Sequence, residues 1–221
     1  MAKNEITIPL AQVELAGELD LPAKPLGLVL FAHGSGSSRH SPRNQFVART
    51  LREAGVATLL FDLLTPQEEQ REAQTRHLRF DIDLLADRLL GATRWALDEA
   101  SSTDLNLGYF GSSTGAAAAL IAAAELGESV SAVVSRGGRP DLAGDALERV
   151  TAPTLLIVGG DDTQVLAMNE DAYSSLHCER ALRIVRGATH LFEEAGALEK
   201  VAQTASEWFA DHLQPMARTR H

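Results

Sequence analysis

Leu105-Asn106-Leu107-Gly108-Tyr109-Phe110-Gly111-Ser112-Ser113-Thr114-Gly115 is the stretch on which the fold turns. A β-prone run breaks at Gly111-Ser112-Ser113-Thr114-Gly115 and passes into the alanine-rich residues 116–124. Gly-x-Ser-x-Gly between a strand and a helix is the pattern that lifts a serine hydroxyl clear of its own backbone. The turn is tight, so its flanking residues must be small. The helix that follows turns its free N–H groups and positive dipole end toward the place where an oxyanion would form. Gly, Ser and Thr also cluster in ordinary turns, so the reading depends on what the rest of the chain supplies.

Outward from that stretch, strand and helix patterns alternate. Upstream, residues 5–10 and 12–19 read as an antiparallel pair, the second with alternating exposure. Residues 26–32 are continuously apolar and run into His33-Gly34-Ser35-Gly36-Ser37-Ser38. A helix over about 42–54 stops at Gly55, and a buried strand over 56–61 ends at Asp62. The charged run Gln67-Glu68-Glu69-Gln70-Arg71-Glu72 reads as a solvated connection. Residues 77–100 carry Leu78, Ile82, Leu85, Leu89 and Trp95 on a helical period. Downstream come a helix over 114–126, strands over 130–135 and 154–158, a helix over 165–177, a strand over 182–185 and a final helix from just after His190 to about Leu213.

This order predicts an α/β fold, a mostly parallel sheet of about eight strands flanked by helices, in a single domain over 1–221. Residues 135–154 leave no room for a helical cap, so an open, shallow site without a lid is expected.

The chain of 221 residues is 45% hydrophobic and 23% charged, with a formal net charge of −10. That charge argues against nucleic acid or anionic membrane as the main partner. Cys178 is the single cysteine, so no internal disulfide is available. The opening Met1-Ala2-Lys3-Asn4-Glu5 lacks the apolar run of a signal peptide, and 116–124 is too short to span a bilayer. A cytoplasmic protein is the expectation.

In parallel sheets chemistry gathers in loops at the carboxyl ends of strands. Of seven histidines, His190 meets that rule, a few residues past the strand over 182–185. His33 also ends a strand, but in the loop where an oxyanion site would be built. His40, His77, His177, His212 and His221 read as surface or satisfied residues. An acid partner is expected between serine and histidine in the sequence. Asp161 and Asp162 follow the strand over 154–158, one free to cap the next helix while the other serves His190. Asp141 and Asp145 follow no clear strand end.

Serine, aspartate, histidine is the chain order of the α/β-hydrolases. Two other classes fit less well. A nucleotide-binding loop fails because Gly-x-Gly-x-x-Gly would need glycine at Arg39, and no Gly-Lys-Ser/Thr sequence is present. An inactive scaffold would ordinarily have lost one of the three residues. No His/Asp/Glu pair has metal-ligand spacing, so neither metal nor cofactor is expected.

The chain resembles α/β-hydrolases of the dienelactone-hydrolase-like group over essentially its whole length. The resemblance is carried by His33-Gly34-Ser35-Gly36, residues 108–115, Gly159-Gly160-Asp161-Asp162-Thr163-Gln164-Val165 and Gly187-Ala188-Thr189-His190-Leu191-Phe192. It is similar also to stand-alone hydrolases related to domains fused to phosphoribosyltransferases. The type enzymes carry a cysteine nucleophile where this chain has Ser113, which favours a plain serine esterase acting on a small ester. Thioesters, lactones and amides are alternatives for the same triad. The resemblance implies Ser113, Asp162 and His190 as catalytic residues, with backbone N–H groups of Ser35 and Thr114 as the oxyanion hole. Gly36, Arg39 and Arg136 are candidate substrate-binding residues, and Arg139 shares the Arg136 loop.

Overall fold

Eight strands form one sheet in a computed structural model that describes residues 4–99 and 105–214. In chain order the strands are β1 (Glu5–Pro9), β2 (Glu14–Asp20), β3 (Leu28–Ala32), β4 (Ala57–Phe61), β5 (Leu107–Ser112), β6 (Val130–Arg136), β7 (Thr154–Gly159) and β8 (Arg180–Val185). Their spatial order is β1-β2-β4-β3-β5-β6-β7-β8. The pairs β1–β2 and β2–β4 are antiparallel, and the other five are parallel.

The helices are α1 (Pro42–Glu53), α2 (Pro66–Thr75), α3 (Ile82–Glu99), α4 (Thr114–Leu126), α5 (Thr163–Ser175) and α6 (Ala197–His212). One apolar cluster joins the sheet to α3 and α4, and a second joins the other face to α1 and α6. Strands β3, β4, β5 and β7 are buried along their whole length, which is why they read as continuous apolar runs. The alanines of α4 let it pack closely on the sheet, α3 and the 140–149 segment.

Strand order fixes where the site lies. From β3 the chain steps to β4 on one side and later to β5 on the other. The loops after β3 and β5 therefore diverge and leave a crevice at the carboxyl ends of the strands.

Three sequence expectations need correction. Residues 67–72 are not a loose connection but part of α2, whose capping box is complete: the Thr65 side chain accepts the Glu68 N–H, and the Glu68 carboxylate accepts the Thr65 N–H. The helix expected over 77–100 begins later. Leu78–Phe80 is a 3-10 turn, α3 starts at Ile82, and Ala100 lies outside the described residues. The last helix starts at Ala197, because Phe192 (φ 56°) and Gly196 (φ 80°) hold non-helical backbone between it and His190. Where a cap was expected to be absent, Pro140–Arg149 forms 3-10 turns kinked at Gly144 and packed on α4 and α5.

Candidate active site

Ser113 stands between the last residue of β5 and the first of α4 with φ 50° and ψ −123°. Non-glycine residues rarely adopt this backbone, at a cost of roughly 1–3 kcal/mol. The surroundings hold it there. The Ser113 N–H donates to the Arg136 carbonyl at 3.4 Å, and its carbonyl accepts from Arg139 N–H at 3.0 Å and Ala116 N–H at 3.1 Å. The flanking glycines are required by space. A Cβ on Gly111 would meet Ala116 Cα at 2.4 Å, and one on Gly115 would meet the Ala32 carbonyl oxygen at 2.2 Å. Gly115 thus lets the elbow close directly onto the end of β3.

His190 and Asp162 converge from the loops after β8 and β7. His190 Nδ1 donates to Asp162 Oδ2 at 2.7 Å, while the side chains keep 39% and 17% of their exposure. With its proton on Nδ1, the neutral imidazole presents a lone pair at Nε2. Asp162 occupies the N-cap position of α5 but makes no side-chain cap bond. Asp161, its neighbour, is exposed and donates its N–H to the Ala188 carbonyl. Of the two aspartates left open by the sequence, it is Asp162 that meets the histidine. Ser113, Asp162 and His190 line one open cleft of about 460 Å³, together with Ser35, Arg76, Arg79, Phe80, Thr114, Arg139 and Val165.

The loop after β3 closes the opposite wall. Ser35 and Thr114 hydroxyls lie 3.0 Å apart and hydrogen-bond, so these side chains tie the loop to the elbow. Their N–H groups form no hydrogen bond among the described residues and are free for an anion. His33 anchors the loop from beneath. It is 5% exposed, its Nδ1–H donates to the Gly34 carbonyl at 3.0 Å, and its Nε2 accepts the Leu63 N–H at 3.0 Å. Burial lowers its pKa, against the opposing pull of the Gly34 carbonyl and the Asp62 charge.

Other sequence candidates fall elsewhere. Arg136 does not face the cleft. It is 6% exposed, and its Nη2 donates to Ser112 Oγ at 3.0 Å and Asn44 Oδ1 at 3.2 Å behind Ser113. Arg39 is spent on an ion pair with Asp62, and its loop starts α1 with Ser41 as the cap. Gly36 borders a water-sized recess beside the cleft, shared with Glu69, Glu72 and Arg79. Arg139 lines the cleft while gripping Asp141 at 2.9 and 2.7 Å. His40, His77 and His177 are exposed, His212 bonds the Trp208 carbonyl, and His221 lies outside the described residues.

Sequence reasoning missed Arg76, Arg79 and Phe80. Their segment follows β4, and the Thr65-x-x-Glu68 box was the signal that it is ordered. Arg79 is held by a salt bridge to Glu72, which is 3% exposed. Burial works against the Glu72 charge, but hydrogen bonds from Arg79 and Leu78 more than offset it and lower its pKa. Among the described residues no group of three His, Cys, Asp or Glu side chains could hold a metal.

This sheet, with a strained serine after its fifth strand and an Asp–His pair beyond it, defines an α/β-hydrolase. Residues 25–217 match the family described as alpha/beta hydrolase domain, and the chain belongs to it. It is an enzyme of the α/β-hydrolase class. The structure of a dienelactone hydrolase from Anabaena variabilis is 58% identical, with a TM-score of 0.94 over 96% of this chain and 98% of that one. A carboxyl esterase from the fungus Tuber melanosporum shares the fold at 17% identity, with a TM-score of 0.76 over 96% of this chain and 88% of that one. A protein of Mycobacterium tuberculosis named as a phosphoribosyl transferase is 56% identical over 210 residues, 95% of this chain. The match takes up 46% of that protein, so the chain spans about half its length.

Proposed function

We propose that the protein is a serine carboxylesterase acting on small esters through a covalent acyl-enzyme. The observation that carries this reading is the 2.7 Å Asp162–His190 bond in the cleft onto which the strained Ser113 opens. Ser113 Oγ attacks the ester carbonyl while His190 Nε2 takes its proton. The N–H groups of Thr114 and Ser35 receive the negative oxygen, each such donor being worth about 3 kcal/mol in the transition state. His190 then protonates the departing alkoxide, and Asp162 stays ionised, holding the imidazole and balancing its charge. Water repeats the sequence to free the acid and restore Ser113.

Thioesters and lactones suit the same groups, and the relative named as a dienelactone hydrolase supports a ring ester among the substrates. Arg76, Arg79 and Arg139 border the cleft, and with Arg79 paired to Glu72 and Arg139 to Asp141, it is Arg76 that favours an acyl group carrying a negative charge.

Rapid mixing with p-nitrophenyl butyrate tests the proposal. A burst of one p-nitrophenol per enzyme is expected before steady turnover, and Ser113→Ala should lose both. An S113A protein that turns over like the wild type would overturn it.

A further inference from the structure

Arg136 is a buried cation without a counter-ion. It ends β6, is 6% exposed, and forms no salt bridge with a carboxylate among the described residues. Burial pulls its guanidinium down to about 10, with the like charge of Arg43 adding to the effect, so it stays cationic at neutral pH. Among the described residues its Nε has no hydrogen-bond partner, and its Cζ lies 5.9 Å from the centre of the Phe192 ring. Taking a cation out of water without an opposite charge is among the costliest steps in folding.

Local hydrogen bonding does not account for that cost. Ser112 Oγ already donates to Asn44 Oδ1 at 3.1 Å, so the two groups that Arg136 touches satisfy each other. An uncharged side chain of similar length would fill the space more cheaply.

The position is informative instead. The Arg136 carbonyl accepts the Ser113 N–H, and a Cβ on the next residue, Gly137, would lie 3.1 Å from the His190 carbonyl oxygen. Phe192, beneath the guanidinium, is two residues past His190. The cation therefore sits in dry protein against both segments that carry the reacting side chains. In such surroundings a charge is poorly screened. The negative charge that develops nearby during acyl transfer is the oxyanion on the Ser113 adduct.

We propose that Arg136 is a positioning residue whose unpaired charge, fixed behind Ser113 through Ser112, favours the negatively charged tetrahedral intermediate without touching substrate. This inference rests on the acyl-transfer reading of Ser113 and names a group that acts on it from outside the cleft.

The test compares wild type with Arg136→Met, Arg136→Gln and Arg136→Lys on p-nitrophenyl butyrate. Rates are taken per active site counted by fluorophosphonate titration, so misfolded protein drops out. Arg136→Met and Arg136→Gln are expected to lower kcat about tenfold, less than the roughly 10²–10³-fold cost of a lost direct oxyanion donor because Arg136 acts from behind the elbow, with KM within about twofold. Arg136→Lys should recover most of the rate. The Met variant should melt no lower than wild type, because it removes an uncompensated charge and leaves the Ser112–Asn44 bond in place.

A purely structural Arg136 gives the reverse pattern: fewer titratable sites, a lower melting point and a normal kcat per site. That result overturns the inference, as does a Lys variant as slow as Met. If Met does not fold, Gln decides by the same measurement, and a wild-type rate for Gln overturns the inference. Failure of the wild type to burst or to label would instead remove the esterase reading beneath it.

Discussion

Asp162 shows how one side chain settles a question that adjacent residues leave open. Asp161 and Asp162 both follow β7, and nothing in the order of residues says which carboxylate turns toward the β8 loop. The backbone decides: Asp161 is tied by its N–H to Ala188, and Asp162 points at His190. Arg136 was misplaced for a related reason. The strand was expected to end at Ser135, which would put Arg136 in a loop facing the cleft. Strand β6 runs one residue further, and its alternation turns Arg136 inward beside Asn44. His33 allows a test at this scale. Its folded pKa is depressed by burial, so below the ordinary value of about 6.5 the unfolded chain binds a proton that the folded chain refuses. The stability it contributes is fully present above that value and is lost as the pH falls through it, approaching about 1.4 kcal/mol per pH unit. Glu69, whose pKa is raised by burial and by the charges of Asp62 and Glu72, works in the opposite direction. Melting curves from pH 7.5 to 5.5 should therefore show a smaller downward slope in His33→Gln than in wild type; equal slopes would mean that His33 is not held neutral.

Elements were legible where one rule governed them. Strands β3, β4, β5 and β7 are buried on both faces and announce themselves as apolar runs. Helix α2 escaped because its Glu-rich sequence has almost no apolar stripe; a single residue, Glu72, is buried, and it is held by charge. What stabilises α2 is its first turn. Removing the Thr65 hydroxyl should cost about 1 kcal/mol, a fall of about 2–4 °C in melting temperature for a chain of this size. Because Arg76, Arg79 and Phe80 follow α2 into the cleft, Thr65→Ala should also raise KM for p-nitrophenyl butyrate more than it lowers kcat. A change confined to kcat would show that this segment does not shape the binding surface. The same segment completes the picture of the cleft: it is open as expected, and part of its wall is supplied after β4, beside the loop after β3 and Arg139 after β6.

Over the whole molecule, the sheet could be read because strand and helix patterns alternate, and alternation leaves few topologies. The crevice could be read as well, since the reversal of strand order at β3 puts the loops after β3 and β5 on either side of it. The charge on its rim could not: a net −10 describes the surface as a whole, whereas the arginines around Ser113 are gathered from two segments far apart in the chain, one after β4 and one after β6. In the proposed reaction everything turns on the activation of Ser113 through His190. The direct measurement is the intact mass of the folded protein after exposure to a fluorophosphonate, with the modified peptide mapped and His190→Ala treated in parallel. One adduct, on Ser113, lost in the His190→Ala protein although its fold is retained, is the predicted result. An unlabelled wild type, or labelling that persists without His190, would contradict it.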